Sequence, residues 1–400
     1  MRRLNDWITG WLEFQDNTEP SIQYKEWVAI SIIAAALQRK CILDLGHEIF
    51  YPNMYIVLVG PPGSRKGTAM KPAKRIMMQK AIKLSANATT KEALIRALRV
   101  SSESTSDALT GKTIGHASLT VYSEELTVFL GYNNLELMGY MNNWYDCEDP
   151  WEYDTKDVTL RDYIDAVWVN LLGAATPSIL RLALPNEAVG AGLTSRIIFV
   201  HADGIGKTVP ITYITEEAQK TREDLFADLE RIYMLSGKFT YTKDFINRYI
   251  DWRVKQDANP PFSDPSLLGY NARRSAHVLK LCMIVSASES DDMVITDKVF
   301  NRSLSTLERV EVDMPRVFSE YGESRDVRVM NRVMRSVALA GETGILFSTL
   351  MDRSHRDADK DMMWRVIRTL ESMKFCRRDV SDPADTRIIY VEESKEEESA

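Results

Sequence analysis

The stretch from Gly60 to Thr68 constrains the fold most, because it separates an apolar run from an amphipathic helix. The run, residues 54–59, is continuously apolar, as is typical of a strand buried on both faces of a parallel sheet. Beyond the stretch, apolar residues recur at helical spacing, at Ala69, Met70, Ala73 and Met77. A buried strand, a glycine-containing turn and a helix in this order predict an anion-binding βα unit.

The turn contains the residue types that bind phosphate. Backbone amides around Gly63 can surround a phosphate, the helix N-terminus adds its dipole, and Lys66 adds a mobile positive charge. Two positions depart from the GxxxxGK[ST] pattern, since Arg65 replaces a glycine and Gly67 replaces the hydroxyl residue after the lysine. Magnesium would then be held by Thr68 or through water, and the alternative interpretation is a Gly/Pro turn with an incidental lysine. The predicted nucleotide-binding residues are Gly60, Pro61, Pro62, Gly63, Ser64, Arg65, Lys66, Gly67 and Thr68.

Three further apolar runs, residues 119–122, 167–172 and 196–200, alternate with helical stretches. This alternation predicts an α/β domain with a central parallel sheet between about residue 50 and residue 205.

Polar residues follow the second and third runs. Glu124 and Glu125 follow residues 119–122, where one carboxylate can orient magnesium and the other can polarise the attacking water. We assign Glu124 to the metal and Glu125 to the water; the alternative is that both cap the next helix. Thr176 ends the third run and is predicted to contact the γ-phosphate or the water, or to cap a helix that begins with proline.

Three arginines are further candidates. Arg196 begins the fourth apolar run, and its guanidinium, which stays charged, needs an anion there. A neighbouring subunit's γ-phosphate would supply it, and an intramolecular salt bridge is the alternative. Arg273 and Arg274 precede a helical stretch, from which one of them can reach a nucleotide; an ordinary solvated helix start is the alternative.

The pattern divides the chain into five regions. We predict a helical region at 1–50, the α/β core at 51–210, a helical lid at 211–322, a winged helix at 323–391 and an acidic disordered tail at 392–400. The winged helix is predicted from three helices followed by a two-stranded ribbon.

Two basic segments are candidate DNA contacts. Alternating residues on both sides of Lys156 predict a hairpin, from which Lys156 and Arg161 can contact phosphates. The aromatic residues Trp144 and Trp151 are expected to pack its base. In the winged helix, Arg365 and Arg368 lie on the third helix and suit phosphate contact, although such modules also dock proteins.

Composition narrows the class of protein. With 50 Lys and Arg against 57 Asp and Glu, the net charge of −7 argues against coating DNA by bulk electrostatics. The 4 cysteines lack the spacing of a zinc site or a disulfide framework, so we expect reduced, mostly buried thiols. Neither a membrane span nor a signal peptide is indicated, which predicts a cytoplasmic protein without a membrane partner.

The order of these motifs resembles AAA+ helicases. The phosphate loop, the acidic pair, Ala-Ala-Thr-Pro (174–177), Leu-Thr-Ser-Arg (193–196) and Arg-Arg (273–274) are most similar to phage and prophage primase-helicase-type P-loop ATPases and, more distantly, to MCM helicases. The resemblance implies an AAA+ (RecA-like) core, with the first sensor at Thr176, an arginine finger at Arg196 and the second sensor at Arg274. It also implies Mg-ATP and a ring, commonly a hexamer, on DNA, in the host cytoplasm for a phage protein.

These features favour an ATP-dependent translocase of phage replication or recombination on single-stranded DNA. Alternatives are an ATPase that loads or remodels a protein partner through the winged helix, and a DNA-binding regulator switched by nucleotide. A small-molecule kinase would have no use for the lid, the finger or the winged helix. Because no primase motif is evident, a primase partner would be a separate chain.

Overall fold

The computed structural model describes residues 2–86, 90–106, 111, 113–132, 134–154, 161–184, 192–318, 325–354, 358–381 and 385–391. The acidic tail 392–400 therefore lies outside the described residues. The chain divides into two compact units, Met1–Glu320 and Tyr321–Ala400.

The first unit is α/β. Its strands are β1 (Cys41–Asp44), β2 (Ile49–Phe50), β3 (Tyr55–Val59), β4 (Ser102–Ser106), β5 (Thr113–Ser123), β6 (Trp151–Asp154), β7 (Arg161–Ile164), β8 (Val167–Ala175), β9 (Ile197–His201), β10 (Gly237–Tyr241) and β11 (Val294–Ile295). Its helices are α1 (Trp7–Phe14), α2 (Ile22–Leu37), α3 (Lys66–Gln79), α4 (Lys91–Val100), α5 (Leu126–Leu130), α6 (Leu135–Asp146), α7 (Pro177–Ala183), α8 (Glu216–Met234), α9 (Lys243–Ala258), α10 (Leu268–Glu289), α11 (Asp297–Glu311) and α12 (Met314–Phe318).

The central sheet has the strand order β4-β5-β8-β3-β9. The four predicted apolar runs form β3, β5, β8 and β9, which are mutually parallel, with Val59 opposite Ala175 on one side and His201 on the other. The sheet is nevertheless mixed, because β4 pairs antiparallel with β5 at the edge. The sequence analysis missed β4 because its residues, Ser-Glu-Ser-Thr-Ser, are all polar.

This strand order determines where side chains can meet. Because β3, β5 and β8 are parallel neighbours, their carboxyl ends share one edge of the sheet, and the chain leaves β3 for strands on both sides of it. Ligands of open α/β sheets bind at such a switch point, outside the carboxyl ends of the strands. The turn after β3, the acidic pair after β5 and Thr176 after β8 all lie at this edge.

A second, small sheet has the order β11-β10-β1-β2. It joins the N-terminal region to the lid, since Cys41 of β1 lies opposite Gly237 of β10 in a parallel ladder. The predicted helices of both regions are confirmed, but the strands of this sheet and α11 were not predicted. Strands β2 and β11 have only two residues each, and β10 has a single buried apolar side chain, Phe239, so none of them forms a continuous apolar run.

The buried helix α2 packs against both the central sheet and neighbouring helices. Most of its residues are fully buried, Trp27 to Leu37 among them, and the helix contacts β3, β8, β9, α3 and α10. All four cysteines are buried and free. Among the described residues, a helix with the length and apolar character to cross a membrane is not found.

The second unit contains the predicted three helices and ribbon. Its helices are α13 (Arg325–Ala340), α14 (Phe347–Ser354) and α15 (Lys360–Ser372). A third strand, β12 (Ile345–Leu346), pairs with β14 (Arg387–Tyr390), which in turn pairs with β13 (Cys376–Asp379). Val333, Met363, Ile367 and Leu370 are among the buried residues of its separate core.

Candidate nucleotide-binding site

The phosphate loop occupies the predicted context, between buried β3 and the start of α3. Gly60 is required at the first position, since a Cβ there would lie 2.4 Å from Tyr24 Oη and 2.5 Å from the Ala202 carbonyl oxygen. The Tyr24 hydroxyl donates to the carbonyl of Val59 at 2.7 Å. Helix α2 therefore fixes the point where the chain leaves the sheet, a contact that no sequence motif signalled.

Lys66 is folded back over the loop. Its Nζ donates to the carbonyl oxygens of Gly60 at 2.7 Å and Pro61 at 3.0 Å, and to Ser64 Oγ at 3.1 Å. Burial lowers the pKa of this amino group below its ordinary value. Its partners are all neutral oxygens, and no carboxylate pairs with it in the described part of the chain, so an anion would compete for it favourably.

Arg65 replaces a glycine of the usual motif but keeps a backbone conformation that suits glycine. It has the left-handed backbone conformation, with φ 63° and ψ 24°, that glycine adopts readily. Its Nε lies 2.6 Å from Glu19 Oε2. Glu19 also accepts the amide of Gly206 through its backbone oxygen at 2.8 Å, so this residue joins the phosphate loop to the segment after β9.

Two departures meet at Gly67 and Glu124, since Gly67 replaces the usual hydroxyl residue and Glu124 is a glutamate where the metal-binding acid is usually an aspartate. A Cβ on Gly67 would lie 3.2 Å from Glu124 Oε2, which places the carboxylate against the position where the hydroxyl residue usually stands. A longer acid thus faces a shorter helix residue, and the two exchanges compensate sterically. Thr68 is exposed one position further along the helix. Magnesium in phosphate sites uses only one or two carboxylates besides the phosphates, so a single acid here fits it.

Both acidic residues at the end of β5 are exposed. Glu124 accepts a hydrogen bond from Tyr122 Oη at 3.3 Å. Glu125 occupies the N-cap position of α5, where its charge meets the positive end of the helix dipole, and its side chain makes no capping hydrogen bond. Neither carboxylate forms an ion pair with a described residue.

Thr176 lies at the end of β8, between the acidic strand and the phosphate-loop strand. Its Oγ1 accepts the amide of Ile179 at 3.3 Å and lies 3.2 Å from Ser178 Oγ. The helix-capping role is therefore present. Contact with a phosphate stays a prediction, and the position of the residue between the two strands is suitable for it.

A cavity of about 530 Å³ lies along α3. Its wall includes Pro72, which follows Lys66 by six residues and so lies about 9 Å further along the helix. The indole Nε1 of Trp11 and Oε1 of Gln15 are buried and lack hydrogen-bond partners among the residues described, and both residues line the cavity. Both atoms are buried, so they are not exposed to the cavity as it stands. Phe14, Arg75 and Tyr213 also line the cavity.

Arg196 lies at the opposite edge of the sheet. It directly precedes β9, whose 5 residues run parallel to β3, so Arg196 is about 16 Å along the strands from the phosphate loop. Its guanidinium pairs with Asp146 and donates to the carbonyl of Gly192 at 2.9 Å. The intramolecular pair that was the alternative interpretation is therefore present, and the residue cannot reach its own chain's phosphates from here.

Arg274 does not fit the predicted sensor role. Its Nε and Nη2 each lie 2.7 Å from a carboxylate oxygen of Glu311, and both residues are buried. This bidentate pair ties α10 to α11 and leaves the guanidinium engaged. We therefore remove Arg274 from the site. Arg273 is more exposed and lies 3.0 Å from Asp146 Oδ1.

The predicted hairpin is formed by β6 and β7, which pair antiparallel from Trp151 opposite Ile164. Lys156 lies outside the described residues; Arg161 begins β7, and its side chain is likewise not described. Trp144 and Trp151 are buried with ring centroids 5.3 Å apart, which confirms that they pack the hairpin base. Because β7 leads into the start of β8, the hairpin lies at the edge opposite the phosphate loop.

In the second unit, Arg365 and Arg368 lie on one exposed face of α15 together with Asp361 and Thr369. The opposite face, including Met363 and Ile367, is buried in the core of the unit.

Neither a protein-family model nor a curated protein matches the chain. The fold of the site and the order of its motifs therefore carry the functional argument.

Proposed function

We propose that this protein is a magnesium-dependent ATPase of the AAA+ kind that moves on single-stranded DNA as a ring, with a hexamer as the expected form. One observation carries the proposal. At a single edge of the sheet, the loop amides and Lys66 lie beside the exposed carboxylate of Glu124, which approaches Gly67 from a strand two positions away. Cation and acid are close there without being paired, as a triphosphate with its metal requires.

The chain's residues divide the work of phosphate binding. The first-turn amides of α3 have no helical acceptors and can donate to phosphate oxygens. Lys66 exchanges the neutral oxygens of Gly60 and Pro61 for a charged one, which strengthens its hydrogen bonds. Ser64, which is buried, keeps the loop closed beneath the phosphates.

The carboxylates act on the transferred group. Bound magnesium would neutralise charge on the phosphates, and Glu124, with Thr68 or water, is placed to hold it. Glu125 is the proposed acceptor of a proton from the attacking water, and Thr176 the proposed contact to that water or to the γ-phosphate. The cavity lined by Trp11, Phe14 and Tyr213 is the proposed base site, since aromatic side chains there can pack against adenine.

Assembly follows from the position of Arg196. Because it lies at the edge opposite its own phosphates, it can act in phosphoryl transfer only on a nucleotide held by another copy. A trans arginine of this kind completes the site between two subunits and makes turnover depend on assembly. A ring is the closed form of such head-to-tail contacts.

DNA contact is proposed at the hairpin β6–β7 and on the exposed face of α15. Lys156 and Arg161 would follow the sugar-phosphate backbone, and Arg365 and Arg368 would contact phosphates through the proposed winged helix. The second candidate function, remodelling of a protein partner, is favoured by Asp361 on the same face of α15, since a mixed-charge surface also suits a protein.

ATP turnover measured with and without single-stranded DNA tests the proposal. The translocase predicts stimulation by DNA of ten-fold or more. Turnover indifferent to DNA would instead support the remodeller, and tight nucleotide binding without turnover would support a nucleotide-controlled switch.

A further inference from the structure

Asp146 holds two arginines at once. It is the last residue of α6, and its carboxylate pairs with Arg196 before β9 and with Arg273 near the start of α10. Three elements of the first unit, one of them a lid helix, therefore meet at one acid. Two cations on one carboxylate leave one uncompensated positive charge.

The position of Asp146 at the C-terminus of α6 is electrostatically unfavourable for that helix. A negative charge at a helix C-terminus opposes the helix dipole. The pairing with two arginines offsets that cost, and the side chain of Asp146 remains 40% exposed, compared with 9% for Arg196 and 32% for Arg273. Arg196 is thus the buried member of this cluster, whereas Asp146 and Arg273 are partly open to solvent.

A network of buried hydrogen bonds lies next to Asp146 and Arg196. Tyr145 Oη lies 3.0 Å from His277 Nδ1, and His277 Nε2 lies 3.1 Å from the carbonyl oxygen of Ser195. Because that carbonyl can only accept, Nε2 carries the proton and Nδ1 accepts from the tyrosine. Burial lowers the pKa of His277 to about 3, so the ring stays neutral and keeps this pattern. The network therefore links Tyr145, next to Asp146, to Ser195, next to Arg196. The linking residue, His277, follows Arg273 by one helical turn.

We propose that Asp146 is a positioning residue that joins Arg196 and Arg273 into one anion-binding unit, which each copy of the chain presents to the nucleotide phosphates of a second copy. The inference rests on the proposed ATPase function and adds to it. It makes Arg273, rather than Arg274, the lid arginine that acts in turnover. Asp146 also links the lid helix α10 to the core, because it pairs with one arginine from each.

The carboxylate does what neither arginine can do alone. It holds two like charges close together, which would otherwise repel each other. Apart from its bonds to Asp146, Arg196 donates one further described hydrogen bond, to the carbonyl of Gly192. Arg273 bonds to Asp146 through Nη1 only, and its Nε and Nη2 have no partner in the described part of the chain. The Arg273 side chain is 32% exposed, so a phosphate can accept those donors in the forked geometry of a guanidinium.

The test compares Asp146→Asn and Asp146→Glu in the full chain. The asparagine keeps the shape and removes the charge that holds the arginines, so kcat of ATP hydrolysis should fall about ten-fold while KM and nucleotide affinity stay the same. The glutamate should recover most of the loss. Asp257→Asn is the matched control, because Asp257 also lies near a helix C-terminus and pairs with a single arginine, Arg253, at 2.8 Å.

Mixing variants separates positioning from simple damage. A Lys66→Ala copy has a defective phosphate loop but an intact arginine unit, whereas an Asp146→Asn copy has the reverse. An equimolar mixture should hydrolyse ATP at least three-fold faster than the mean of the two alone. A mixture no faster than that mean overturns the inference.

The two proposals fail differently. If Arg196→Ala lowers turnover but Asp146→Asn and Arg273→Ala do not, the arginine unit is wrong and the ATPase stands. If wild-type protein neither binds ATP nor assembles, the ATPase proposal itself is wrong.

Discussion

At one edge of the central sheet, the charged side chains of the candidate site have no ion pairs with described residues, whereas arginines at the opposite edge are paired with acids. At the carboxyl edge, Lys66 bonds only neutral oxygens and the carboxylates of Glu124 and Glu125 are exposed without ion pairs to described residues. At the amino edge and the adjoining lid, Arg196, Arg273 and Arg274 are each paired with an acid. The carboxyl edge therefore offers Lys66 and the two carboxylates to a ligand, whereas a ligand at the amino edge meets arginines that an acid of the same chain already holds.

The comparison also separates the three arginines. The acid that pairs with Arg274 is as buried as the arginine itself, so exchange there would leave a buried charge unpaired. Asp146 is partly exposed, so a ligand can approach the arginines that it holds without breaking their pairs. Exposure of the acidic partner thus distinguishes a structural arginine from one that a ligand can reach.

Arg196→Ala should have the largest effect on turnover. We expect a loss of about 10³-fold in kcat, as for other arginines that stabilise phosphoryl transfer, with nucleotide affinity unchanged. Steady-state hydrolysis and equilibrium nucleotide binding measure the two quantities. Unchanged turnover would remove the trans role and make the amino edge purely structural.

Glu125→Gln should lower hydrolysis by about 10²- to 10³-fold, because an amide cannot take a proton from water. ATP should still bind, so this variant is expected to accumulate in the ATP-bound form, which a filter-binding assay detects. Glu152→Gln, an exposed acid on β6, is the control and should keep wild-type turnover.

Arg274→Met tests the structural end of the comparison. It leaves Glu311 buried without its cation, which should lower the free energy of unfolding by about 3–5 kcal/mol. Chemical denaturation measures the loss. The double variant Arg274→Met/Glu311→Leu removes both charges and should regain most of the stability. If Arg274→Met instead abolished turnover in a fully stable protein, the sensor role would have to be restored.

The smallest effect is expected at the Gly67–Glu124 contact. Gly67→Ser puts a side chain 3.2 Å from the Glu124 carboxylate, and we expect about ten-fold weaker binding of Mn²⁺ in the presence of nucleotide. Adding Glu124→Asp shortens the acid and should restore binding in the double variant. Additive losses in the two single variants would show that the residues do not compensate each other.

Local signals made much of this predictable. The strand β3, its glycine turn and α3 are consecutive in the chain, so a short window contains the whole phosphate loop, and the apolar runs locate β5, β8 and β9. Strand β4 was missed because it is polar, and β10 because only one of its apolar side chains, Phe239, is buried. Arg196 was recognised as needing an anion, but Asp146, 50 residues earlier, carries no motif that identifies it as the partner. The pair Arg274–Glu311 is likewise a product of lid packing, which no sequence spacing reveals.

Titration calorimetry of the full-length protein with ATP and magnesium tests the central claim most directly. The account predicts binding to the wild-type chain with micromolar affinity and a loss of at least 100-fold in Lys66→Ala, because the lysine that now bonds Gly60 and Pro61 would have been the cation for the phosphates. Equal affinity in the two proteins, or no binding to either, would contradict it.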